Sequence, residues 1–372
     1  MIPHNRSYDI NRRPTLQFFV MMLVLFSILC LYPSGIFAQK PPQSDPFDVE
    51  VPLEFSEVRK ALDRDDYDQA LKLLSNLRIK SVKEKNKVLQ EEVISTMKQV
   101  NQQKREFAKV RQSYETLKKK SIDPKAYKQV GDFYCAVKAD WKKGLLLLSK
   151  SSNPALRQTV LADLKRPTIP AQQAQLADAW WKLAAQEKGN VRKAYQLRGR
   201  YWYLHARPRL PIKERVGREK KLQQIIIEAD KIVIWNQHNG SYSDRGTTEC
   251  IVTLLYKGKS VWRQKAQIPW EPDTPANRVL RPPHVRFDQV RIDVTKIRGK
   301  GGGLGEVEVF DGNINVARNC STISNGYWEK NPSFHPNNLT NGNETGQSGF
   351  WLLDNDQKGW ALVDMINFLQ QP

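Results

Sequence analysis

Two hydrophobic periodicities divide this chain. Between about residues 54 and 224, apolar side chains recur every three or four positions, the spacing of one helix face. Beyond 225 they fall in short runs separated by Gly, Asn, Pro and Asp, the spacing of strands and turns. The helical part opens with a predicted pair, 55–62 and 67–77, joined at 63–66. A long helix follows over 82–120. Its Val93, Val100, Phe107 and Tyr114 repeat at heptad spacing, with Val110 and Leu117 in the companion positions and polar Gln103 on the same seam. That seam predicts a helical hairpin or a coiled coil. Asp123-Pro124 and Asn153-Pro154 each read as an N-cap followed by proline at the first helical position.

Two further amphipathic helices are expected. Leu176, Trp180, Leu183 and Ala184 line one face over 175–188, and Gly189-Asn190 reads as its stop. The next, 191–206, carries Tyr195, Tyr201 and Trp202, which at helical spacing read as core. Pro208 and Pro211 interrupt the pattern, and 213–221 is read as a last helix. In the strand-like part the runs are 225–227, 232–235, 250–256, 261–262, 290–294 and 307–309, with a hairpin turn at 256–260. Short strands at this spacing predict an antiparallel sandwich of jelly-roll type. The fold class is therefore α+β, multidomain, with a helical region over 54–224 and a β-sandwich over 225–372.

Composition changes this picture in two ways. The 372 residues carry a formal net charge of +20, which favours anionic partners or a solvated basic surface. The N-terminus places Arg6, Arg12 and Arg13 before an apolar run over 18–32, then a Pro33-Ser34-Gly35 break and Ala38. This is the pattern of a secretory signal over 1–38, cleaved after Ala38, and predicts an exported protein. The alternative is a membrane anchor over 16–38. Residues 39–53, rich in Pro, Gln, Ser and Asp, read as a linker. Cys135 reads as a small core residue, whereas Cys250 and Cys320 are available to pair in an oxidising compartment.

No catalytic constellation is present. The basic, glycine-rich 296–303 lacks phosphate-loop spacing, and Glu306 and Glu308 alternate along one strand rather than facing each other across a cleft. The candidate ligand-binding residues sit on the polar loop after the second β run: Trp235, Asn236, His238, Asn239, Tyr242, Asp244 and Arg245. Amide, imidazole, carboxylate and guanidinium groups suit sugar hydroxyls, and an aromatic ring beside them suits stacking.

Three stretches carry a family resemblance. Tyr327-Trp328 with Asn338-Leu339-Thr340-Asn341-Gly342-Asn343, Gly359-Trp360-Ala361-Leu362-Val363-Asp364, and Gly302-Gly303-Leu304-Gly305-Glu306-Val307-Glu308-Val309 resemble the opening loop, the next strand and the closing strand of the discoidin, or coagulation-factor type C, family of galactose-binding-like sandwiches. The closing element here precedes the opening one. The resemblance therefore implies a circularly permuted sandwich, or one complete half plus part of a second copy. It also implies a structural calcium near Glu306, Asn338, Asn341 and Asn343, although Asn341 stands where the family has Asp. In the helical half, 139–145 echoes 65–71 in the order aromatic, small residue, Leu, and so resembles tetratricopeptide packing. That half is also similar in style to the Trp-rich helical regions beside such modules in secreted bacterial proteins.

The function expected from these readings is non-enzymatic. An exported protein would bind a polysaccharide or other envelope glycan through its β half. In the alternative, it is a scaffold whose helices bind a protein partner and whose sandwich takes no small ligand. The export signal and the lack of a basic-aromatic motif count against nucleic acid. Membrane contact is expected only if the N-terminal segment is retained.

Overall fold

The computed structural model describes residues 55–119, 122–272, 276–344 and 348–365. The signal, anchor and linker readings fall outside them. All described residues belong to one compact unit, Ser44–Pro372. Helices come first and antiparallel sheets second, as the change of periodicity requires.

The helical layer runs α1 (Ser56–Asp63), α2 (Tyr67–Lys83), α3 (Lys87–Lys118), α4 (Pro124–Ala136), α5 (Trp141–Leu148), α6 (Pro154–Leu164), α7 (Pro170–Ala184), α8 (Gly189–Ala206) and α9 (Ile212–Gln223). Short polar side chains set several of the starts. Asp66, Asn86, Asp123, Asp140 and Asn153 each accept a backbone N–H of the first turn. The heptad seam of α3 closes a hairpin rather than a free coiled coil. Val93 and Val100 are buried, and Phe107, Val110, Tyr114 and Leu117 lie against the same cluster as Tyr67 and Phe133. Gly189 does not stop a helix. At φ +55° it starts α8, and α7 ends earlier, at Ala184.

Small residues let the helices approach closely. A Cβ on Gly144 would lie 2.2 Å from Cys135 Sγ, and one on Gly199 would lie 2.6 Å from Trp181 Nε1. The tightest pin is Asp163 at the end of α6. Its carboxylate accepts from Trp180 Nε1 (2.6 Å), Trp202 Nε1 (2.8 Å), Arg198 Nε (3.0 Å) and Arg198 Nη2 (2.6 Å). Asp163 is 1% exposed and Arg198 2%. The guanidinium also lies 4.8 Å from the ring centroid of Trp141, on α5.

The β half comprises β1 (Glu228–Ala229), β2 (Lys231–Trp235), β3 (Arg245–Tyr256), β4 (Lys259–Gln267), β5 (Asn277–Leu280), β6 (Val285–Arg286), β7 (Gln289–Gly299), β8 (Gly303–Leu304), β9 (Glu306–Asp311), β10 (Ile314–Asn315), β11 (Ser321–Ser324), β12 (Trp351–Leu352) and β13 (Trp360–Asp364). One sheet has the order β10-β9-β2-β5 and the other β11-β13-β7-β3-β4, with β1-β6 and β12-β8 as separate pairs. The predicted turn between β3 and β4 is present: Tyr256 pairs with Lys259, and Lys257 and Gly258 both have positive φ, as a two-residue hairpin loop demands. The run 225–227 is not a strand, although Ile225 and Ile227 are buried.

Helices and sheets share one core. Trp180, Tyr195 and Trp202 belong to the same buried cluster as Ile234, Val252, Ile292 and Val309. Polar bonds cross the same boundary. Arg200 Nη2 donates to Met365 O (3.1 Å) and to Cys320 Sγ (3.0 Å), and Lys193 pairs with Asp311 (2.7 Å). Cys135, Cys250 and Cys320 are all free and buried, which overturns a Cys250–Cys320 bridge.

Breaking one partner of a buried ion pair leaves the other charge uncompensated. Asp163→Asn is therefore expected to lower stability in urea by about 3–5 kcal/mol. Asp178 is a more exposed carboxylate that pairs with Arg218 and Lys221. Asp178→Asn is expected to cost under about 1 kcal/mol. Equal losses in the two variants would refute the special weight given to Asp163.

Candidate functional site

The loop between β2 and β3 spends most of its polar groups on itself. Asn236 Nδ2 donates to Thr247 O (2.6 Å) and Pro269 O (2.9 Å), and its Oδ1 accepts from the N–H groups of Gln237 and Thr247. This side chain clamps the loop onto β3 and has little capacity left for a ligand. Asn239 sits in the left-handed region and donates to Asp244 Oδ1 at 2.8 Å. Burial pushes the Asp244 carboxyl up, but Arg245, Asn239 and Lys300 outweigh it and hold the group down to about 2. Trp235 turns its Nε1 to Glu308 (2.9 Å).

The structure thus brings Asn239, Asp244 and Arg245 together, commits Asn236 and Trp235 elsewhere, and leaves Tyr242 79% exposed. Three buried atoms of this loop have no partner: Gln237 Nε2, His238 Nε2 and Arg245 Nη1. His238 Nδ1 lies 2.9 Å from Gly240 O and so carries the proton, which makes Nε2 an acceptor in the neutral ring. Aromatic neighbours distant in sequence complete the loop. Arg245 stacks on Trp328 at 4.6 Å, Arg298 stacks on Trp270 at 3.5 Å, and Trp270 Nε1 donates to Arg245 O.

The residues expected around calcium are neighbours, and the one carboxylate among them faces a cation of the chain's own. Glu306 is fully buried, not at a surface edge. One of its oxygens accepts from Gly342 N at 2.9 Å, and Arg318 Nη1 lies 4.0 Å from that same oxygen. A Cβ on Gly342 would lie 1.0 Å from Arg318 Nη1, so the guanidinium fills the concavity of the loop. Asn338 Oδ1 accepts from Asn341 Nδ2 at 3.4 Å, and Asn341 Oδ1 accepts from Asn343 N at 2.8 Å. The cation facing Glu306 is the protein's own. Among the described residues, no group of three or more His, Cys, Asp or Glu is placed to hold a metal.

A further concavity lies elsewhere, between α6 and α7. It is a groove of about 790 Å³. Leu176 and Leu183 are buried beneath it, and Ile169 on its wall is 54% exposed. Ala155, Gln158 and Ala162 contribute one stripe of α6, continued by Lys165 at its C-cap. Gln172, Gln175, Ala179 and Lys182 contribute the facing stripe of α7. Spacings of three and four place each set along one helix face. Arg166 joins the rim, at positive φ just past the end of α6. Sequence reading missed this groove because α6 carries apolar residues on two sides. Leu156 and Val160 are buried, whereas Leu161 and Leu164 are exposed.

No protein-family model, no curated protein and no solved structure matches this chain.

Two outcomes are expected at the Gly342 loop. With Arg318 already facing Glu306, the thermal midpoint should be the same in millimolar calcium and in chelator. A calcium-dependent rise would contradict that. Burial drives the Glu306 carboxyl well above its ordinary value of 4.5, more than Arg318 and the Gly342 N–H draw it down. A raised value means stability that is present below 4.5 and lost as pH rises through the folded-state value. Glu306→Gln does not titrate, so its stability relative to the native chain should improve steadily from acid to neutral pH. A difference that does not change with pH would contradict the buried-acid assignment.

Proposed function

We propose that this chain is a non-enzymatic binding scaffold whose helical layer docks a protein segment in the groove between α6 and α7. The observation that carries the reading is the groove itself: an open concavity of about 790 Å³ with an apolar floor and polar rims, on a rigidly pinned helix pair. Its size is that of a pocket for a small ligand, enough room for a few side chains of a bound segment. The close packing at Gly131 and Gly144, where added Cβ atoms would meet Leu148 and Cys135, supports a tetratricopeptide-like layer of the kind that presents concave faces. The β half is read as a galactose-binding-like jelly roll in permuted order. In support, β13, near the chain's end, lies between β11 and β7 rather than at a sheet edge. Export follows from the N-terminal signal pattern.

A second reading, glycan binding by the β half, is favoured by the three unpartnered atoms of the Asn236–Arg245 loop. An amide donor and a guanidinium donor with an imidazole acceptor suit a hydroxyl, which both accepts and donates. The in-house bonds of Asn236, Asn239 and Asp244 place this reading second.

Panning a short-peptide display library on the full chain separates the two. Selected peptides are expected to lose about tenfold or more in affinity to Ala179→Trp, which fills the groove, with an unchanged circular dichroism spectrum. Peptide affinity indifferent to Ala179→Trp would contradict the groove reading. So would a library that yields no binder while a glycan array gives hits that Arg245→Ala abolishes.

A further inference from the structure

The charge of the groove says which segment it takes. We infer that the groove docks an acidic peptide, with apolar side chains on the floor and carboxylates on the rim; this rests on the reading of the groove as a docking site. Three cations line it, Lys165, Arg166 and Lys182, and no Asp or Glu does. All three are exposed, and none pairs with a carboxylate among the described residues. Some basic residues of the same helical layer are matched, Arg198 by Asp163, Arg218 and Lys221 by Asp178, and Lys128 by Asp132, and no carboxylate beside the groove does the same for its rim. The rim cations are therefore available for a partner, and unpaired charge beside an apolar floor selects the complementary sign.

The glutamines set the kind of acidic partner. Gln158, Gln172, Gln175 and Gln186 line the groove, each offering both a donor and an acceptor. That pairing suits peptide N–H and C=O groups. A single-stranded nucleic acid is the other acidic polymer a basic protein attracts, but it needs aromatic faces on which to stack its bases. No lining residue is aromatic. Leu176, Leu183 and Ile169 offer aliphatic contact instead, which suits Leu, Ile or Val of a peptide.

The test uses three fluorescein-labelled peptides with the same leucines and with Glu, Gln or Lys at the intervening positions. Their binding to the full chain is measured by fluorescence anisotropy at low and high salt. Exposed charge pairs are individually weak, and three together predict roughly tenfold tighter binding of the Glu peptide than of the Gln peptide at low salt. The gap is expected to narrow at high salt as the exposed charges are screened. The Lys peptide should bind weakest. A K165Q/R166Q/K182Q chain should lose the Glu preference while still binding the Gln peptide, which separates the rim from the net charge of +20. If the native chain binds the Glu and Gln peptides equally, and both more weakly to Ala179→Trp, the charge inference fails and the groove reading stands. If the Glu preference survives in the triple variant, the preference belongs to bulk charge and the inference fails. If no peptide binds in any condition, the groove reading itself fails.

Discussion

The helical layer depends on the Asp163 carboxylate. Removing a carboxylate from water costs several kcal/mol, and only a complete set of donors offsets that. Here the set comes from Trp180 on α7 and from Arg198 and Trp202 on α8, and Arg198 also faces Trp141 on α5. One anion at the end of α6 therefore fixes the mutual positions of four helices. The α6–α7 pair that forms the groove inherits this rigidity.

The α8 helix carries the constraint onward. Arg198 and Arg200 are two positions apart, about 200° around a helix, so they point to opposite sides. Arg198 serves the helices. Arg200 reaches Cys320 and the Met365 carbonyl at the sheet side. Lys193 on the same helix pairs with Asp311 of β9, and His205 lies 3.2 Å from Asn319. The change of periodicity near residue 225 is thus a change of secondary structure within one packed unit, with a shared core on both sides of it.

What was legible in the sequence was local. The N-caps at Asp123 and Asn153, the α3 seam, the Lys257-Gly258 turn and the strand at Trp360 each depend on residues within a turn or two of one another. The Asp163 network was not legible, because its donors lie 17, 35 and 39 residues away. The Asn236–Arg245 loop was correctly seen as polar, but its inward bonding was hidden, since Thr247, Pro269 and Trp328 come from other parts of the chain. At Glu306 the resemblance supplied the right neighbours. The guanidinium of Arg318 among them becomes visible only once the chain is folded.

Hydrogen–deuterium exchange of the full chain, with and without the Glu-bearing peptide, tests the central claim most directly. The account predicts added protection confined to residues 154–186, and its loss in the Asp163→Asn chain, where the groove-forming helices are no longer pinned. Protection centred on residues 236–246, or undiminished protection in Asp163→Asn, would contradict it.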